Sequence, residues 1–159
     1  MPLVSRIRPR IGDIIEIPTP SGLAYAHYTH QNNEPPHFGS LLRILPGLFP
    51  SRPNNFSAIA AQEPVFSVFF PLGAACSRKI VSVVASEPIA LPSASFPTFR
   101  NSHSRSGPWF LWDGQKEWQV SSLTPRQLKA YPPLGIVNDT LLVQYIVQGW
   151  RHEHHPVAA

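Results

Sequence analysis

Seven histidines, nine carboxylates and a single cysteine are the side chains that could carry chemistry in this chain, and spacing decides what they can do. His27 and His30 stand three apart in a stretch that reads as a strand. Successive strand side chains alternate faces, so an odd separation sends the two rings apart and they cannot share one metal ion. His37, in a Pro-Pro-His loop, could join either. His152, His154 and His155 form a HEHH run near the C-terminus, which reads as a solvated tail without the supporting shell that fixes metal geometry. The single cysteine, Cys76, rules out an internal disulfide and reads as a small buried hydrophobe.

The remaining catalytic patterns are missing from the sequence. Gly39-Ser40 falls inside a strand, and no Gly-x-Ser-x-Gly elbow occurs. Asp13 and Glu16 are odd-spaced on a strand, and the other carboxylates are scattered. No glycine-rich phosphate loop or dinucleotide fingerprint appears. The residues therefore point to a protein that is not an enzyme, with no catalytic residue, cofactor or metal.

The stretch WFLWDGQKEW, residues 109–118, holds three of the four tryptophans. Asp113-Gly114 suits a two-residue type I′ turn, which sets Trp112 opposite Gln115, Phe110 opposite Glu117 and Trp109 opposite Trp118. Opposite residues share a sheet face. Trp109, Leu111, Trp118 and Val120 then form a core face. Phe110 and Trp112 lie on the other face beside Glu117, either under the last helix or exposed as a contact patch. Exposed aromatics among polar groups suit a protein partner. The candidate partner-binding residues are Phe110, Trp112 and Glu117, with Tyr28 and His30 of the second strand behind them.

The elements that must position these residues are short. Nineteen prolines and nine glycines favour strands and turns over long helices. Strands are expected near 12–18, 22–30 (joined through Pro20-Ser21-Gly22), 38–46, 65–73 and 79–87, then at WFL and KEWQV. Residues 65–73 are almost continuously apolar, as in a strand covered on both faces. Helices are expected near 55–62, from Thr124 with Pro125 in its first turn, and from Asn138 or Asp139 to Gly149. In the last, Leu141, Leu142, Tyr145 and Ile146 share one face, although β-branched Val143, Ile146 and Val147 leave a strand as the alternative. The expected fold is α+β: a mainly antiparallel, strongly bent sheet, or a partly open barrel, with two or three short helices including a C-terminal one.

At 159 residues the chain is long enough for one domain with a real core. It is expected to divide into a disordered basic leader (1–11), a single domain (12–150) and a disordered histidine-containing tail (151–159). No run approaches the roughly 18 apolar residues of a membrane span, and no secretory signal is legible, so a cytoplasmic location is expected. Arg6, Arg8 and Arg10 carry three of the four net positive charges, and Arg151 and Glu153 cancel, leaving about +1 for the body. Nucleic acid is therefore the lesser alternative, reached through the basic arm and exposed aromatics.

The motifs GDIIEIPTPSGLAYAHYTH, RILPG, FFPLGAA, FPTFR, WFLWDGQKEWQV, LTP and GIVNDTLLVQYIVQGW, in that order over residues 12–150, resemble the bacterial family called immunity protein 26. The resemblance implies a small cytoplasmic protein of a polymorphic-toxin locus that binds a cognate toxin domain and neutralises it, without catalysis or cofactor. A near-neutral body argues against neutralisation by mimicry of nucleic acid. Three functions thus stand in order: toxin-neutralising binder, nucleic-acid-binding module, and an enzyme built on His27, His30 or His37. The oligomeric state is left open.

Overall fold

The fold was analysed in a computed structural model that describes residues 8–102 and 107–155. Two antiparallel sheets and four helices make it up. The larger sheet comprises β1 (Asp13–Thr19), β2 (Gly22–Asn32), β3 (Gly39–Ile44), β4 (Phe66–Phe70) and β5 (Ser82–Ser86), in the order β4-β3-β2-β1-β5. The smaller is β6 (Phe99–Ser102), β7 (Trp109–Trp112) and β8 (Glu117–Val120), in sequence order. Helices α1 (Ser57–Ala60), α2 (Leu72–Ser77), α3 (Pro125–Ala130) and α4 (Asp139–Gln148) pack around them, and a short 3-10 turn, His152–His154, follows.

Alternation along the strands sorts the larger sheet into two faces. Ile15, Ile17, Ala24, Ala26, Leu42, Ile44, Phe66, Val68 and Phe70 form one, sealed by Leu72 and Ala75 of α2 and by Leu142 of α4. Tyr145 of α4 also packs here, stacked on Trp150 at 4.1 Å and 5°. The opposite face is covered in two patches. Ile14, Tyr25 and Leu45 meet Phe56 and Ile59 around α1. Leu41 and Phe69 meet Phe99 and Trp112 of the smaller sheet. β4 is thus buried at every residue and covered on both sides, as its apolar run requires.

The two sheets are joined rather than closed into a barrel. The segment after α3 runs between their edges: Val137 N–H donates to Phe69 O at 3.0 Å, and Arg100 N–H donates to Pro132 O at 3.0 Å. Isolated parallel bridges pair Phe69 with Ile136 and Arg100 with Pro133.

Local signals account for many of the boundaries. The β1–β2 turn falls at Pro20-Ser21, and Gly22 has φ 132°; a Cβ there would stand 3.0 Å from the Phe49 carbonyl oxygen, which accepts the Leu23 N–H. Only glycine allows both. Thr124 caps α3 through a reciprocal capping box with Gln127, with Pro125 at the first helical position. Asn138 caps α4, and Gly149 ends it at φ 69°. The helical reading of 139–149 is the one realised.

Several expectations are corrected. The strand expected over 65–73 stops at Phe70, because Pro71 has no N–H to continue the ladder and instead leads into α2. Strand β6 was not anticipated. Residues 8–11, expected in the leader, are described, and Arg10 N–H donates to the Asp13 carboxylate at 2.7 Å; residues 1–7 lie outside the described residues. The expected tail is structured through His155 and docks on β4 and α3, with 156–159 outside the described residues.

Candidate functional site: the tryptophan hairpin and an arginine-floored cleft

The hairpin β7–β8 closes through four residues, Asp113–Lys116, rather than two. The Asp113 carboxylate accepts the Lys116 and Gln115 backbone N–H groups at 2.9 and 3.0 Å, and these bonds hold it below the usual carboxylate range. Trp112 consequently pairs with Glu117, Leu111 with Trp118, Phe110 with Gln119 and Trp109 with Val120. The partner of each residue moves by two positions, which preserves the division into faces.

Both faces are partly buried: Leu111 of the expected core face is 3% exposed, but Trp112 of the other face is buried as well. Trp112 is 8% exposed and packs against Phe99 at 5.7 Å, Phe96 at 5.5 Å and Phe38 at 5.4 Å. Trp118, expected in the core, is 37% exposed, with the Lys116 ammonium 5.6 Å from its ring centre. Trp109 is half-buried, with the Arg100 guanidinium 5.7 Å from its ring. The reason is β6. Phe99 pairs with Trp112, and this pair docks onto Leu41 and Phe69, while on the other face Leu111, beside buried Arg100, is covered and Trp118 on the last strand is not.

The five candidate residues are therefore not one patch. Trp112 and Tyr28 are interior, the Tyr28 hydroxyl donating to Gln31 Oε1 at 2.7 Å. Phe110 is half-buried and Glu117 exposed, on the same hairpin face as Trp112. His30 is half-buried on the larger sheet, edge-on to Phe96 at 5.4 Å.

His30 also departs from the alternation rule. A bulge between Tyr28 and His30 shifts the register, so Tyr28 pairs with Leu42 but His30 pairs with Leu41. The extra residue returns His30 to the face carrying His27. The two rings nevertheless serve different partners. His27 Nε2 lies 2.9 Å from Glu87 O and 3.2 Å from Gly12 O. His30 Nε2 donates to Ala94 O at 3.2 Å, and its Nδ1 accepts from the Thr29 hydroxyl at 3.0 Å. Burial, then the Arg43 charge, depresses the His30 pKa and keeps the ring neutral. His37 stands apart in its loop with φ 62°. Among the described residues, no three His, Cys, Asp or Glu side chains are placed to hold a metal.

A second feature lies beside His30. Arg43, on β3, points into the space between the larger sheet and the 93–98 segment, and is 9% exposed. Its guanidinium donates to Thr29 Oγ1 at 3.3 Å, Ser67 Oγ at 3.2 Å, Ser95 O at 2.7 Å and Ser93 O at 3.4 Å. All four acceptors are uncharged. Burial alone pulls its pKa down to about 10, which leaves it cationic at neutral pH. Arg100, 2% exposed, likewise donates to two carbonyls, Tyr131 O at 3.1 Å and His152 O at 2.6 Å.

His152 completes the arrangement. Its Nε2 accepts the Ser67 backbone N–H at 2.9 Å and its Nδ1 donates to Lys129 O at 3.1 Å, which fixes one neutral tautomer. Burial pushes its pKa down to about 4. Arg43, Ser67 and His152 line a cleft of about 770 Å³, walled by Ser93–Thr98 on one side and by Lys129–Tyr131 and Arg151–Glu153 on the other. The signal available in the sequence was an arginine within the apolar run LLRIL, on the inward parity of Leu41 and Leu45.

No family model, curated protein or solved structure matches this chain. Among the described residues, no helix is long and apolar enough to cross a membrane.

Proposed function

We propose that this chain is a non-enzymatic protein that binds and neutralises a cognate bacterial toxin domain in the cytoplasm, using the outer face of the β7–β8 hairpin. The observation that carries this reading is Trp118. It is a large aromatic, 37% exposed, on a strand at the end of its sheet, and it shares a face with half-buried Trp109 and Val120. A rigid amphipathic ring with a polar neighbour, the Lys116 ammonium, is the type of side chain that anchors protein interfaces. Phe110 and Glu117, on the reverse face of the same hairpin, extend the contact, and Trp112 supports the hairpin from within; Tyr28 packs on the far face of the larger sheet. The order of motifs over residues 12–150 that resembles immunity protein 26 supports the toxin as the partner, and it rests on those motifs alone.

The test is co-expression of the chain with the product of the adjacent gene. Recovery of a stable complex and rescue of growth, both weakened by Trp118→Ala, are expected. A neighbouring product that neither binds nor is neutralised defeats the proposal.

A further inference from the structure

We propose that the cleft floored by Arg43, Ser67 and His152 is a binding site for a small ligand with an oxyanion head group, a phosphate or a carboxylate. This inference stands apart from the toxin reading, because the cleft and the Trp118 surface are built from different residues.

The argument starts from charge. A buried guanidinium is ordinarily matched by a carboxylate, because removing a cation from water costs far more than a neutral acceptor returns. Arg43 instead has two hydroxyls and two peptide carbonyls. These orient it and leave its charge uncompensated. Arg43 has five N–H donors, and one of its Nη1 hydrogens remains beyond those four bonds. Arg100 donates to the His152 and Tyr131 carbonyls and feels the charge of Glu153. Arg43 is thus the buried cation on the floor of the cleft.

The rim has charges of both signs: Lys129 and Arg151 against Glu63 and Glu153. Lys129, Glu63 and Glu153 are solvent-exposed, and water and salt screen them. The floor is shielded from both, so Arg43 decides the sign of the ligand. His152 is held neutral by its two partners and does not compete as a second titrating group. The walls decide the size. A volume of about 770 Å³ lies within the usual range for small-molecule sites, and Phe96 and Tyr131 offer ring surface for the body of the ligand. The Ser93, Ser95 and Thr98 side chains line the entrance and can donate to the head group.

The experiment is titration of the whole chain at constant ionic strength with inorganic phosphate, phenyl phosphate and benzoate, with chloride as control. Binding is read by calorimetry and by NMR shifts of the Ser67 amide and the Arg43 Nε–H. Saturable binding is expected, tighter for phenyl phosphate or benzoate than for inorganic phosphate, with shifts at both reporters. Arg43→Gln should abolish it. Because that variant alters a buried network, Ser95→Glu serves beside it: the exposed position tolerates the change, and its carboxylate should weaken binding at least tenfold. Phosphate-headed and carboxylate-headed probes separate the two head groups. Absent saturation at millimolar probe, equal responses to chloride, or unchanged affinity in Ser95→Glu would each overturn the assignment.

Discussion

His152 Nε2 accepts the Ser67 backbone N–H at 2.9 Å, so a side chain from the C-terminal segment completes the outer edge of β4. The same edge is paired two residues on, where Phe69 O accepts the Val137 N–H. A strand edge that could recruit another chain is thereby closed from within. The bond requires an unprotonated Nε2.

That requirement predicts acid sensitivity. The His152 pKa is pushed down to about 4 in the fold, against 6.5 when unfolded. Above pH 6.5 both states are neutral and stability is unaffected. Between about 6.5 and 4 only the unfolded state takes up the proton, so stability falls with pH, by about 2 kcal/mol after allowance for partial exposure. Urea unfolding at pH 7 and pH 5 should show the loss, and His152→Gln should reduce its slope. His30 and His155, also depressed by burial, contribute the remainder. An identical slope in the variant would refute the role of His152.

The tryptophans should separate stability from binding. Trp112 fills the contact between the two sheets, and Trp112→Ala should cost about 3–5 kcal/mol of folding free energy. Trp118→Ala removes a partly exposed ring and should cost less than about 1 kcal/mol of stability, while weakening the toxin complex by about 2 kcal/mol or more. Chemical denaturation and calorimetric titration measure the two effects. Comparable destabilisation by both substitutions would argue against Trp118 as an anchor.

These two rings also show where the sequence was readable. The α3 and α4 ends were legible because a cap is local: Thr124, Pro125, Asn138 and Gly149 each act within one turn. The first four strands were legible through apolar runs and the Pro-Ser-Gly turn. The hairpin's faces were legible too, since a register error of two residues keeps them. Its orientation was not, because it depends on β6, four residues without a local signature that exist as a strand through pairing with β7. The bulge at Thr29 likewise defeated the parity argument for His30. Arg43 sat in a legible strand, but its setting depends on the 93–98 segment and residue 152 packing over it. Those contacts are distant in sequence, and no window of residues contains them.

Helix α4 gives a local test. Asn138 Oδ1 accepts the Leu141 N–H at 2.8 Å, and Asn138→Ala should cost about 1 kcal/mol. Gly149 adopts φ 69°, where a Cβ meets no neighbouring side chain, so Gly149→Ala should lose about 1 kcal/mol through backbone strain alone. Equilibrium unfolding in urea reads both. The sites are separated by a helix without shared partners, so the double variant should be additive within about 0.5 kcal/mol. Marked non-additivity would show that the two ends of α4 are coupled.

Glu16 predicts pH dependence on both flanks. Its carboxylate accepts Arg52 Nε at 2.8 Å, Arg52 Nη2 at 3.1 Å and the Tyr25 hydroxyl at 2.9 Å. The Arg52 hydrogen bond leads in holding its pKa below the ordinary value. This stabilisation is present above the unfolded pKa and is lost as pH falls through the folded one. Because Arg52 is 57% exposed at its side chain, the ion pair itself is worth at most about 1 kcal/mol. On the alkaline flank, burial first and the Glu16 bond second push Tyr25 up to about 12. Its contribution is complete below pH 10 and is lost as pH rises from about 10 to 12, when the unfolded phenol ionises first. Absorbance at 295 nm should show Tyr25 ionising late, with Tyr145, raised by burial, also delayed. Tyr25→Phe should remove the late component and cost about 1–2 kcal/mol at neutral pH through the lost bond to a charged acceptor. All four tyrosines titrating together near pH 10 would contradict the buried Tyr25–Glu16 bond.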